Sequence, residues 1–138
     1  MITAVDTNIL LDILRPNEGF VEQSAAALNA SASVGSLVVA DMVYAELCAH
    51  FSDQGECDAF LKDAGIRADS LSREALFLGG QAFRKYRRRG GSRTTLLADL
   101  LVGAHATVQA SQLLTRDRGF YRDYFPGLRL VKSGTVSA

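Results

Sequence analysis

Four acidic residues in this chain stand where a folded sheet would bring them to one edge: Asp6, Glu46, Asp99 and Asp117. Asp6 follows the apolar run 2–5, and Asp117 lies two residues beyond the run 112–115. Glu46 and Asp99 each interrupt an apolar helical segment, where an acid without a compensating charge is costly. Carboxylates packed together repel and take up protons unless a cation intervenes. The set therefore predicts a site for Mg²⁺, or alternatively Mn²⁺, which prefer oxygen ligands.

An acidic cluster with one or two such ions activates a water molecule and stabilises the pentavalent phosphate of phosphodiester cleavage. Asn8 and Thr115 lie next to the first and last of the four acids, and we expect them to hold those carboxylates by hydrogen bonds. Each acid by itself also has an ordinary explanation. Asp6 and Asp117 suit turns, Asp99 suits the first turn of a helix, and Glu46 suits a solvated helix surface.

A basic run precedes Asp99 and includes two aromatic residues, Phe83 and Tyr86. Arginines beside aromatic rings and a glycine pair favour phosphate contacts and base stacking. The sequence therefore predicts RNA contacts from four of the cations, while a solvated helix end explains the same pattern without a ligand. The four are Arg87, Arg88, Arg89 and Arg93.

The elements that must position these residues alternate along the chain. Short apolar runs predict strands over 2–5 and 37–40, and further short strands are predicted over 66–69, 112–115 and 128–131. Helical spacing predicts helices over 9–14, 18–29, 42–51, 53–63, 72–89, 96–110 and 119–124, with a connector over 31–36. Expected N-caps are Thr7 or Asn8, Asp41, and Thr94 or Thr95. The alternation predicts a three-layer α/β/α domain with a central parallel sheet of four to five strands.

The composition bounds the class of protein. The 138 residues suit one domain over 1–138, and 48% hydrophobic residues with 22% charged residues are ordinary for a soluble globular chain. No membrane-spanning run and no secretory signal is recognisable, so we expect a cytoplasmic protein. Residues 1–74 carry a net charge of −8 and residues 75–138 a net charge of +8, which favours a polarised surface and a polyanionic partner.

Several other residues receive structural interpretations. Cys48 and Cys57 lack zinc-site spacing and are expected to be reduced, packed thiols. His50 and His105 are expected in packing or at the surface. Asp12 is predicted to be exposed or to lie behind the ligands, and Asp123 at the margin of the site.

Four motifs occur in this order along the chain: VDTNILLDIL, MVYAEL, LADLLVGAHA and LLTRDRGF. As an ordered set they resemble the motifs of PIN-domain nucleases, and more narrowly those of VapC-type toxin ribonucleases from bacterial toxin–antitoxin pairs. The resemblance covers nearly the whole chain and places the acidic site of the family on Asp6, Glu46, Asp99 and Asp117. Its supporting polar residues fall on Asn8 and Thr115.

The resemblance implies Mg²⁺-dependent endoribonuclease activity on structured or single-stranded RNA. With the four acids holding the metal, we expect a water molecule to attack the phosphodiester in line and to leave a 5′-phosphate and a 3′-hydroxyl. The resemblance also implies homodimerisation and a cognate antitoxin protein. The basic run could bind an acidic segment of that antitoxin instead of RNA. The main alternative is an RNA-binding or protein-interaction module on the same fold that does not cleave. A receiver-like phosphoacceptor fits less well, because a lysine on the last strand is required and Lys132 comes only at the tail.

Overall fold

The computed structural model describes residues 1–16 and 19–131, and in these two ranges the chain forms five strands and seven helices. The strands are β1 (Ile2–Val5), β2 (Ser36–Val39), β3 (Ile66–Ala68), β4 (Gln112–Leu114) and β5 (Leu130–Val131). The helices are α1 (Thr7–Leu14), α2 (Val21–Val34), α3 (Asp41–Cys48), α4 (Gln54–Asp63), α5 (Arg73–Arg88), α6 (Leu96–Gln109) and α7 (Arg118–Tyr124).

All five strands are parallel, in the order β3-β2-β1-β4-β5. Helices on the two faces complete the predicted three-layer α/β/α fold. The chain leaves β1 toward β2 on one side and later returns beside β1 as β4, so the strand order reverses at β1. In open α/β sheets the crevice at such a reversal is where ligands bind. Asp6 and Thr115 directly follow these two neighbouring strands.

The sheet is buried at its centre, which explains why its strands read as continuous apolar runs. Val38, Val39, Leu113 and Leu114 have no exposed surface. Helices α1, α3 and α6 pack onto this centre through residues that are also fully buried, Ile9, Leu10, Val43, Leu47 and Leu100. These three helices carry or adjoin Asp6, Glu46 and Asp99, so the hydrophobic core fixes the position of each acid.

The structure corrects the predicted start of α1. The N-cap is Asp6, whose carboxylate accepts a hydrogen bond from the backbone N–H of Thr7 at 2.8 Å, rather than Thr7 or Asn8. At α6, Thr95 occupies the cap position but its side chain makes no capping bond. Asp6 therefore serves both as a cap and as the first acid of the candidate site.

Helix α2 is longer than predicted. It runs to Val34 through residues assigned to a connector, because Ser31 is buried and the small residues around it are compatible with a helix. The predicted start at Glu18 lies outside the described residues.

Helix α3 ends at Cys48, three residues before the predicted end. Its N-cap is Ala40 and not Asp41, whose carboxylate instead accepts a bond from the backbone N–H of Leu71. The last strand begins at Leu130, two residues later than predicted, whereas the short strand at 66–68 is confirmed. Among the described residues, no helix has the length and apolar character needed to cross a membrane.

Candidate active site

Asp6 is the most enclosed of the four acids, with 8% of its surface exposed. One oxygen accepts the N–H of Thr7, and the other accepts hydroxyl bonds from Thr115 at 2.8 Å and Tyr121 at 3.2 Å. Burial raises the pKa of Asp6 above its ordinary value, and nearby Glu46 raises it further, while the three hydrogen bonds act in the opposite direction. Its neighbours therefore orient the Asp6 carboxylate, but burial still makes its charged form less favourable than it would be in water.

Thr115, which is fully buried, connects the ends of β1 and β4. Its hydroxyl donates to Asp6 and accepts from the backbone N–H of Asp117 at 3.0 Å and from the Asn8 amide at 3.3 Å. The Asn8 carbonyl oxygen in turn accepts the N–H of Arg116. Both residues that the sequence indicated as supports therefore contact the acids or the segment that carries them.

Glu46 lies on α3, exposed, and accepts a hydrogen bond from the Thr7 hydroxyl at 2.5 Å. The sequence indicated Thr7 only as a possible cap and missed this contact across 39 positions. The bond ties the acid on α3 to the first residue of α1, beside Asp6.

Asp99 lies in the first turn of α6 and is half-buried. Burial raises its pKa above the ordinary value, and the negative charges of Asp6, Glu46 and Asp117 each raise it further. The nearby cation Arg93 acts in the opposite direction. The other three acids predicted from sequence are therefore close enough to Asp99 for their charges to repel its carboxylate.

Asp117 is exposed at the N-cap position of α7, yet its side chain makes no capping bond. Four residues later, Tyr121 is buried and reaches Asp6. Burial and the surrounding acids raise the pKa of Tyr121 far above its usual range, so its hydroxyl stays protonated and donates. The sequence assigned Tyr121 only to an aromatic turn of helix.

The donor set suits a hard divalent cation, because all four side chains offer carboxylate oxygens and their mutual repulsion would be relieved by positive charge. Within 1–16 and 19–131, no lysine, arginine or histidine forms an ion pair with any of them. In the same ranges, no three acid, histidine or cysteine side chains are grouped closely enough to form a complete metal site. The charges and the donor atoms therefore fit a cation. To bind one ion together, the side chains would have to move closer to each other.

Asp12 is buried and forms an ion pair with Arg116, so it does not have the exposed position that the sequence allowed for it. The Arg116 guanidinium donates to both oxygens of Asp12, at 2.8 and 3.0 Å, and Ser24 donates to the same carboxylate at 2.6 Å. The ring of Phe20 covers the guanidinium, 4.1 Å from its carbon atom. We call these four residues, Arg116, Asp12, Ser24 and Phe20, the clamp. Its contacts hold Arg116, the residue between Thr115 and Asp117, in place.

The four predicted RNA-contact arginines differ in their surroundings. Arg89 forms an ion pair with Asp123 at 3.1 Å and lies over the Tyr124 ring, and Arg87 lies over Phe83. Arg88 and Arg93 are exposed and, within the described residues, form no side-chain ion pair. Arg93 is the one whose charge reaches Asp99.

The histidines have the packing and surface positions that the sequence predicted. His105 is fully buried in α6, and its Nε2 lies 2.8 Å from Asp69. His50 is exposed, with its Nδ1 3.4 Å from Arg15. Asp123 is engaged by Arg89.

Comparison with known proteins identifies relatives at the level of family and fold. A family model described as the PIN domain matches residues 3–125. Curated proteins provide no sequence match.

Solved structures give similar folds along nearly the whole chain. VapBC2 from Rickettsia felis, bound to a DNA fragment from its promoter, has 21% identity and a TM-score of 0.71, with 94% of this chain and 97% of that chain covered. VapBC-1 from nontypeable Haemophilus influenzae has 18% identity, coverage of 94% and 96%, and a TM-score of 0.68. FitAcB from Neisseria gonorrhoeae has 19% identity, coverage of 96% and 97%, and a TM-score of 0.64.

Proposed function

The chain belongs to the PIN domain family, and from this membership and the geometry of its acidic edge we propose that it is a metal-dependent endoribonuclease. More specifically, we propose that it is the VapC-type toxin of a bacterial toxin–antitoxin pair. The structural neighbours support this assignment, because those named above include complexes of VapB with VapC.

One observation carries the proposal. Burial and the negative charges of three other acids, Asp6, Glu46 and Asp117, raise the pKa of Asp99, and within the described residues no basic side chain forms an ion pair with any of the four. A stable protein retains such repulsion when a ligand of opposite charge compensates for it.

In the proposed mechanism Asp6, Glu46, Asp99 and Asp117 would hold Mg²⁺, or alternatively Mn²⁺. When bound, the cation would supply positive charge to stabilise the phosphate and would lower the pKa of a water molecule. Thr115 and Tyr121 orient Asp6, and Thr7 orients Glu46. The backbone bond from Asp117 to Thr115 sets the direction of the last acid. These contacts preorganise the charges before substrate arrives.

The direct test uses purified protein, free of any partner, with a pool of tRNA and rRNA. The reaction is run with Mg²⁺, with Mn²⁺ and with a chelator, beside Asp99→Asn. We expect discrete cuts that require both the metal and Asp99, with 5′-phosphate ends. A folded protein that binds metal and leaves the whole pool intact would refute the nuclease.

We predict that ionisation at the acidic edge makes stability depend on pH and on metal. The pKa of Asp6 and of Asp99 is raised in the folded state above the unfolded value of 3.8, so the folded state binds more protons between the two values. Their contribution to stability is therefore full below 3.8 and is lost as the pH rises through the folded pKa. In chelator, wild type should lose stability relative to Asp99→Asn over this window, as measured by urea unfolding.

Divalent metal should restore the stability that wild type loses as the pH rises. We expect Mg²⁺ or Mn²⁺ to raise the Tm of wild type more at neutral pH than at acidic pH, and to raise that of Asp99→Asn less. As a control, Asp63→Asn alters an exposed carboxylate on α4 and should follow wild type. A difference between wild type and Asp99→Asn that is the same at every pH would contradict the coupling.

We predict that Arg93 contributes to RNA binding. Arg93→Gln removes an exposed cation near Asp99 but keeps the backbone N–H that donates to the Tyr86 hydroxyl at 2.9 Å. Affinity for RNA, measured in chelator across a salt series, should fall, and the salt slope should shrink by about 1. Lys62→Gln, an exposed change on α4, should leave the slope unchanged. If the salt dependence of RNA affinity were the same for both variants, Arg93 would not be part of the RNA-binding surface.

The proposed partners are RNA, a cognate antitoxin and a second copy of the chain, in the cytoplasm. The neighbouring toxin–antitoxin complexes support an antitoxin. Static light scattering of the purified chain tests the homodimer, and co-expression with the protein encoded beside it tests the antitoxin.

A non-cleaving RNA-binding or protein-interaction module is the second candidate. It is favoured by the finding that no complete group of three metal ligands is assembled within the described residues. A protein that binds RNA with the same affinity in metal and in chelator, and cleaves in neither, would establish it.

A further inference from the structure

The two cysteines of the chain face each other across the hairpin of α3 and α4. The Sγ atoms of Cys48 and Cys57 are 3.9 Å apart, and the residues between them form the whole turn. Both are free thiols. A disulfide bond requires the sulfurs to approach to about 2.05 Å, so roughly 2 Å of closure separates the two states.

Contacts on both sides of the thiols hold α3 and α4 in the position that brings the two sulfurs together. The Tyr44 hydroxyl donates to Asp58 at 2.7 Å, and the rings of Phe51 and Phe60 are in contact with centroids 5.8 Å apart. Cys48 is the last residue of α3, where side-chain and backbone adjustment is least constrained. The hairpin thus keeps the sulfurs together while leaving one of them room to move.

The thiols differ in their access to solvent. Cys57 is fully buried, and burial raises its pKa to about 11. Cys48 is partly exposed and lines a surface cleft of about 390 Å³ together with Tyr44, Phe51, Ser52, Asp53 and Gln54. A small oxidant therefore reaches Cys48 and does not reach Cys57.

We propose that Cys48 and Cys57 form a peroxide-sensitive modification site that closes to an intramolecular disulfide. In the first step the Cys48 sulfur attacks hydrogen peroxide and breaks its O–O bond, which yields sulfenic acid on Cys48 and one water. In the second step the Cys57 sulfur attacks the Cys48 sulfur, and the leaving hydroxide takes the Cys57 proton as a second water. Two electrons pass from the thiols to the peroxide, and a thiol reductant reverses the change.

The proposal does not depend on the proposed nuclease activity, and its test needs no RNA. Native full-length protein is treated with a small excess of hydrogen peroxide, alkylated, and digested by an endoproteinase that cleaves after glutamate. Because Glu46, Glu56 and Glu74 flank the cysteines, they are released on separate peptides, 47–56 and 57–74. We expect these peptides to be joined in monomeric protein, with a mass about 2 Da below their sum, and to separate on reduction.

Single variants test the order of the steps. In Cys57→Ser, Cys48 should accumulate as sulfenic acid that a dimedone-type reagent captures. In Cys48→Ser, Cys57 should remain an unmodified thiol in folded protein. Wild-type protein that accumulates sulfinic acid on Cys48 with no joined peptides would overturn the proposal. Joined peptides found only in covalent dimers would also overturn it, and this readout does not depend on the folding of either variant.

Discussion

Asp99→Asn is expected to abolish most catalysis while leaving the fold as stable as wild type or more so. The substitution removes one carboxylate and its charge from the edge where the charges of Asp6, Glu46 and Asp117 act on it. Loss of one such electrostatic group lowers the rate by about 10²- to 10³-fold, or roughly 3–4 kcal/mol in the activation barrier. Single-turnover cleavage of the preferred RNA in saturating Mg²⁺ measures the change.

Stability separates a catalytic effect of this substitution from a structural one. The introduced asparagine would keep the shape of the side chain and end the repulsion with three acids, so in chelator the unfolding free energy of Asp99→Asn should equal or exceed that of wild type. Asp63→Asn, the same chemical change at an exposed position of α4, should alter neither rate nor stability. A variant that unfolds more easily than wild type in chelator would show that Asp99 has a structural role. A variant that cleaves at the wild-type rate would exclude Asp99 from catalysis.

Arg116→Ala is expected to have the largest effect on stability. The substitution leaves the Asp12 carboxylate, whose side chain is 4% exposed, with only Ser24 as a partner and also removes the cation covered by Phe20. Breaking a buried pair from one side costs about 3–5 kcal/mol. Because the Arg116 side chain is 32% exposed, we expect about 2–4 kcal/mol in urea unfolding.

A double substitution tests whether the buried charge is the cause. Asp12→Asn keeps an acceptor for Ser24 and removes the charge, so in the Arg116→Ala background it should recover a substantial part of the lost stability. Arg122→Ala, which removes an exposed arginine from α7, should cost less than about 0.5 kcal/mol. If Arg116→Ala costs no more than Arg122→Ala, the clamp contributes little. Cleavage should also slow in Arg116→Ala, since the clamp anchors the residue beside Asp117.

Local patterns were sufficient for the order of elements and for the identity of the acids. Burial on both faces turns the central strands into largely apolar segments, as at 37–39 and 113–114. Glu46 and Asp99 stand out because each interrupts an apolar helical segment of the sequence. The sequence does not determine the end of α2, because alanine favours a helix whereas the serines that alternate with it at 31–33 also suit a turn. Its continuation depends on packing that buries Ser31.

Contacts between distant residues were decided by the tertiary structure alone. Arg116 and Asp12 are 104 positions apart, and Tyr121 and Asp6 are 115 apart, so no local spacing relates them. The parallel sheet places β4 beside β1 and thereby brings Thr115, Arg116 and Tyr121 to the first turns of α1. The sequence by itself determined which carboxylates are available, because residue type sets charge and donor chemistry. Only the folded chain decided which of them are buried, oriented and close enough to repel, because pKa and hydrogen bonding depend on distances that the fold sets.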